Sequence, residues 1–199
     1  MAITFERQSF SGRFPEIWRG ECKMLPGGFK PTQEFAAGTV VRRATLISVD
    51  FDTMSAKVCK VASVLDGGTT TKVRVAKGHY FVKGDKIFKH GATTLVTVND
   101  VDRSNTEYDV LTLSAAITGI AKDDIIVEGV SAGDNSVKAA CEPNMIVGAD
   151  KQFDGKGLPT LDAAFEAVVL IPSLLFPILP EWLQGVALKN NPNIIFIKQ

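Results

Sequence analysis

An excess of charge of either sign is missing from this sequence: 22 Lys plus Arg balance 22 Asp plus Glu over 199 residues. Displacing counterions from phosphates requires a basic surplus, so no nucleic-acid partner is expected. Cysteine is scarce as well. Cys22, Cys59 and Cys141 are odd in number and widely spaced, matching neither a disulfide framework nor a CxxC zinc pattern. The expectation is free or buried thiols in a protein made in a reducing cytoplasm. No hydrophobic run reaches membrane length: Glu166 and Glu181 bracket 14 uncharged residues, with Pro172 and Pro177 inside them. A spanning helix needs about 20 residues and cannot leave freed backbone groups unsatisfied in hydrocarbon, so no membrane partner is expected. The first residues, MAITFERQSFSGRF, hold no continuous apolar segment of the kind a signal peptide needs.

What is present is an ordinary globular balance, 45% hydrophobic and 22% charged, which argues against disorder. Residues 1–35 are broken by Gly12, Gly20, LPGG and Pro31, yet carry Phe5, Phe10, Phe14, Trp18, Phe29 and Phe35. They read as an extended N-terminal arm lying against its own domain or a neighbouring subunit, with Phe10, Phe14, Trp18 and Phe29 as interface candidates. Residues 36–130 alternate short Val-, Ile- and Thr-rich runs with glycine turns, the pattern of a β-barrel or sandwich. A small-residue loop is expected over 131–144, and the segment 131–199 then adds further strands. One short helix is expected over 180–190, opened by Pro180 and Glu181 and stopped by Asn190, Asn191 and Pro192. The fold class is therefore mainly β.

Candidate chemistry is thin. Asp100, Asp102 and Ser104 have the oxygen spacing of a calcium loop, but Asn105 replaces its glycine and Leu111 its glutamate, leaving a polar turn. His79 and His90, with Asp85 between them, lack a third metal ligand. Ser114 has no G-x-S-x-G context, and the glycine–lysine stretches lead into strands rather than a phosphate-cradling helix. Arg42 and Arg43 lie in a strand pattern, where one of them must face away from the core. Asp50/Asp52 and Asp123/Asp124 are the only motive for a hydrolase. The reading is no enzyme, no catalytic residue, no metal and no cofactor. A carbohydrate-binding module is the alternative, prompted by Tyr80 and Tyr108 as candidate exposed aromatics.

FAAGTVVRR, AKVCKVA, VRVAKGHYFVKGDKI and VNDVDRSNTEYDVLTLSAAI, in this order, resemble head-fibre and capsid-decoration proteins of tailed bacteriophages and prophages of Bacteroidetes-type bacteria. LPEWLQGVALKNNP followed by NIIFIKQ continues the likeness, which covers roughly residues 35–199. The resemblance implies a β-rich structural protein on the outer capsid surface of a virion, made in the bacterial host cytoplasm. It implies binding to the major capsid protein as a homo-oligomer, a trimer favoured. No catalytic residues come with it. The chain shows no stalk repeat, so a decoration protein or the base of a head fibre is expected rather than a complete fibre.

The apolar run LIPSLLFPILPEW divides into the end of a strand buried on both faces, a proline-bounded connection and the start of the helix. Leu174, Leu175, Phe176, Ile178 and Trp182 are expected to pack in an intersubunit or interdomain contact, since an apolar segment beyond the needs of one small β-domain fits an interface.

Overall fold

A computed structural model describes residues 16–25, 28–155 and 160–199. Phe10 and Phe14 lie outside the described residues. The fold is mainly β, 46% strand and 3% helix, with curled sheets in a half-barrel, sandwich-like arrangement.

The first stretch contributes β1 (Lys23–Met24), β2 (Lys30–Pro31), β3 (Val40–Val41), β4 (Leu46–Asp50) and β5 (Ser55–Val58). The middle contributes β6 (Val61–Ser63), β7 (Lys72–Ala76), β8 (Lys86–Lys89), β9 (Val96–Asp102), β10 (Tyr108–Leu113), β11 (Ile125–Gly133) and β12 (Ser136–Ala139). The last part contributes β13 (Met145–Val147), β14 (Lys151–Gln152), β15 (Ala163–Leu170), β16 (Leu183–Gln184), β17 (Ala187–Leu188) and β18 (Asn191–Ile197).

Pairing sorts these strands into two main sheets. The larger has nine strands in the order β16-β17-β18-β15-β13-β4-β5-β2, with β1 also on β15. The smaller has seven, β12-β11-β8-β9-β10-β7, with β6 also on β11, and β14 pairs with β3 separately. The larger sheet thus draws on both ends of the described chain, and the smaller is the continuous stretch β6–β12 inserted between β5 and β13. This division differs from the sequence segments, in which a boundary falls at 131–144.

Alternation explains the layers. In β4 and β13 neighbouring residues enter opposite cores: Leu46 and Ile146 pack with Val169, Leu179, Trp182 and Phe196. Ile47, Met145 and Val147 pack with Phe29, Val41, Val58 and Leu161. A sheet covered on both faces needs near-continuous apolar strands, which is why AAFEAVVL in β15 shows no clean period of two. The smaller sheet has a core of its own, with Val73, Val75, Phe81, Ile87, Val98, Leu111 and Ile126 buried together. There β7 and β10 alternate buried positions with more accessible ones, the period of two expected where one face lies on the core.

Two local expectations change. Pro180–Trp182 does form a helical turn, but it is a single 3-10 turn, and β16 and β17 follow as a hairpin. Gly185, with φ of 65°, begins its two-residue turn in a left-handed conformation that suits a hairpin and breaks a helix. The small-residue loop is likewise a hairpin. Asp134 and Asn135 both have positive φ and join β11 to β12, the requirement of a tight two-residue turn. Asn and Asp tolerate that conformation better than other side chains.

Candidate interaction surface

The proline-bounded connection after β15 crosses the larger sheet and carries most of the interface candidates. Ile171–Ser173 is one 3-10 turn with Pro172 in its first positions. Leu174, Phe176 and Ile178 are half-buried against the chain's own core. The Phe176 ring lies 5.2 Å from that of Tyr80, touching both cores of the larger sheet. Leu175 alone turns outward and is 56% exposed.

Two candidates are not surface at all. Phe29 is fully buried, its backbone bridged to Leu161 and its ring edge-on to Phe51 at 5.8 Å. Trp182 is buried by the hairpin that replaces the expected helix. Both complete their own fold and are closed to a partner. Trp18 sits between these cases, bridged to Val169 and half-buried.

Leu174, Leu175 and Phe176 form one wall of a groove of about 550 Å³, with Ile17, Arg42, Arg43 and Asp150 among its other lining residues. Arg42 and Arg43 are not in a strand; they occupy the turn between β3 and β4. Asp150 shapes that turn. One carboxylate oxygen accepts the Arg43 backbone N–H at 2.7 Å and the other the Arg42 Nη1 at 3.1 Å. The Arg42 backbone N–H donates to the Tyr80 hydroxyl at 2.9 Å. Among the described residues the Arg43 guanidinium has no ion-pair partner, so the groove combines an outward leucine with an uncommitted arginine. Arginine is among the residues enriched at interface hot spots.

A second cleft, about 470 Å³, lies where Phe35 and Gly38–Val40 face Lys77, His79, Arg103 and Asp109. His79 is buried, with Nδ1 accepting the Phe81 N–H at 3.1 Å. Its Nε2 lies 3.1 Å from Asp109 Oδ2, off the axis of a good hydrogen bond. Lys77 also holds Asp109. Burial lowers the His79 pKa to about 4 despite the opposing pull of Asp109. The unfolded chain therefore takes up this proton near the ordinary value of about 6.5, where the folded chain does not. Stability is expected to be full above pH 6.5 and to fall by on the order of 3 kcal/mol towards pH 4 from this group. Urea unfolding at several pH values checks this, and His79→Gln should flatten that part of the profile.

Tyr80 is buried, and the Arg74 guanidinium covers the Tyr108 ring at 4.5 Å from its centre. Neither is the open aromatic platform considered for a sugar. His90 pairs with Glu181 at 2.8 Å while His79 faces Asp109, and Asp85 pairs with Lys60. Asp50 caps its own turn by accepting the Asp52 and Thr53 N–H groups, and Asp124 binds Lys89 and the Ala121 N–H. At the end of β9 Asp102 accepts the Ser104 N–H, and in the turn that follows Asn105 accepts those of Glu107 and Tyr108. Among the described residues no three His, Cys, Asp or Glu side chains gather as a metal site.

The cysteines are where sequence reasoning missed most. Cys59 and Cys141 form a disulfide across 82 residues, and only Cys22 is free. Cys59 lies on the step from β5 to β6 and Cys141 on the return from β12 to β13, so the bond closes the neck of the inserted sheet. Spacing alone cannot reveal this, because the two cysteines meet only where the chain changes sheets. Alkylation with and without reductant in denaturant is expected to count one thiol per chain before reduction and three after. Searches against protein-family models, curated proteins and solved structures find no match.

Proposed function

We propose that this protein is a structural, partner-binding protein rather than an enzyme: a decoration protein, or the base of a head fibre, on the outside of a phage head. The sequence resemblance supplies the class. The observation that carries the reading is the groove in which exposed Leu175 stands beside the unpaired guanidinium of Arg43. Its occupant is the major capsid protein, offering an apolar side chain flanked by a carboxylate. The zero net charge accords with a position outside the shell, away from packaged DNA. The disulfide accords with a life outside the reducing cytoplasm. Homo-oligomers, trimers in particular, would set several such grooves on one symmetry position.

On this proposal a phage or prophage carries the chain, and the test uses empty shells assembled from its major capsid protein. Saturable co-sedimentation at micromolar concentration is the expected result, and a chain that stays in the supernatant overturns the proposal.

A further inference from the structure

The neck between the two sheets holds a second feature beside the disulfide. Lys60, next to Cys59, is 5% exposed, an unusual setting for a lysine. Its Nζ faces both carboxylate oxygens of Asp85, at 2.8 Å to Oδ1 and 2.7 Å to Oδ2. Glu128 Oε1 lies 3.6 Å from the same nitrogen, and the side chains of Asp85 and Glu128 are 11% and 15% exposed. Glu128 Oε2 is buried without a hydrogen-bond partner; Lys57 Nζ stands 3.9 Å away and donates to the Ala140 carbonyl instead.

The backbone fixes all three groups. The Glu128 N–H donates to the Lys60 carbonyl at 3.0 Å, and the Asp85 N–H and carbonyl are bonded to Val82 and Val98. The Val82 N–H also donates to Asp85 Oδ2 at 2.8 Å, as an oxyanion-hole donor would. An amine held against a carboxyl group, a hydrogen bond on one carboxyl oxygen, a nearby proton acceptor and little water are together the requirements for making an amide. Fixed geometry replaces the cost of bringing the two groups together, and a dry site removes the water that would reverse the reaction.

We propose that Lys60 and Asp85 join in an intramolecular isopeptide bond that forms without any other reagent once the chain has folded. Glu128 relays a proton from Nζ to Asp85 Oδ1, and the freed amine attacks the Cγ of the now neutral carboxyl group. The tetrahedral centre holds its negative charge on Oδ2 against the Val82 N–H. Glu128 then relays a second proton from the nitrogen to Oδ1, the Cγ–Oδ1 bond breaks, and that oxygen leaves as water carrying the two protons displaced from nitrogen. One ammonium and one carboxylate become one neutral amide and one water; nothing is oxidised or reduced, and Glu128 ends as it began. The product ties together residues 25 apart at the neck that the disulfide also closes. The proposal is independent of the partner reading, because it concerns only the chain itself.

Mass spectrometry of the full-length protein, denatured and with its disulfide reduced, tests this directly. The expected mass is that of the sequence less one water, with a digest yielding a branched peptide that joins the Lys60 and Asp85 segments. Glu128→Gln, checked for folding by near-UV circular dichroism, should keep the full mass, as should Asp85→Ala and Lys60→Arg. A folded wild-type protein that retains the full mass after prolonged incubation at neutral pH overturns the proposal. So does a lost water that maps to any other residue, such as an aspartyl imide.

Discussion

Serine at both Cys59 and Cys141 is expected to lower the stability of the chain by about 2–5 kcal/mol. The reason lies in the unfolded state. A bond across 82 residues removes the conformational freedom of a large loop, worth about 4.5 kcal/mol at 25 °C in the chain-entropy account. Both cysteines sit in a buried cluster with Val61, Val127 and Ile146. For a chain of this size, a loss in that range corresponds to a fall in Tm of roughly 5–15 °C. Calorimetry on the double variant, with Cys22 retained, measures it. A change under about 1 kcal/mol would mean that the neck is held by packing and the link between Lys60 and Asp85 rather than by the disulfide.

Leu175→Glu is expected to leave the fold intact and to weaken capsid binding by at least tenfold. A side chain 56% exposed contributes little to its own core, so stability should stay within about 0.5 kcal/mol. In a bound groove the same position would be desolvated, and a carboxylate there would meet an apolar pocket and the partner's own acid. Losing an anchor of this kind typically costs about 2 kcal/mol or more, and tenfold in affinity corresponds to about 1.4 kcal/mol. Arg43→Glu should act in the same direction through charge. Phe176→Ala is the contrasting case: its ring supports both cores of the larger sheet, so its removal should reduce stability as well as binding. Sedimentation of each variant with shells, beside urea melts, separates the two effects.

The β character was legible because alternation is a local property. TKVRVAKG and YDVLTLSAA declare β7 and β10 by period alone, and AAFEAVVL declares a strand covered on both faces. The C-terminal helix was misread because proline, acid and apolar spacing all agreed locally, while one glycine, Gly185, took a left-handed turn that the packing of Leu188 and Trp182 rewards. Asp134-Asn135 looked like loop because neither residue favours strands, yet both suit the turn of a hairpin. The candidate interface was half legible. Apolarity marked the run from Leu174 to Trp182, but only contact with the rest of the fold decides that Leu175 faces outward while Trp182 is core. The neck was invisible, because Cys59 and Cys141 meet through a change of sheet rather than through spacing, and Lys60 resembles any solvated strand lysine until Asp85 and Glu128 close around it.

Electron cryomicroscopy of capsid shells saturated with this protein tests the central claim most directly. The account predicts added density on the outer surface, at a fixed symmetry position, that fits the two-sheet body with the Leu175 and Arg43 groove against the shell. Shells without added density, or bound protein whose groove faces solvent, would contradict it.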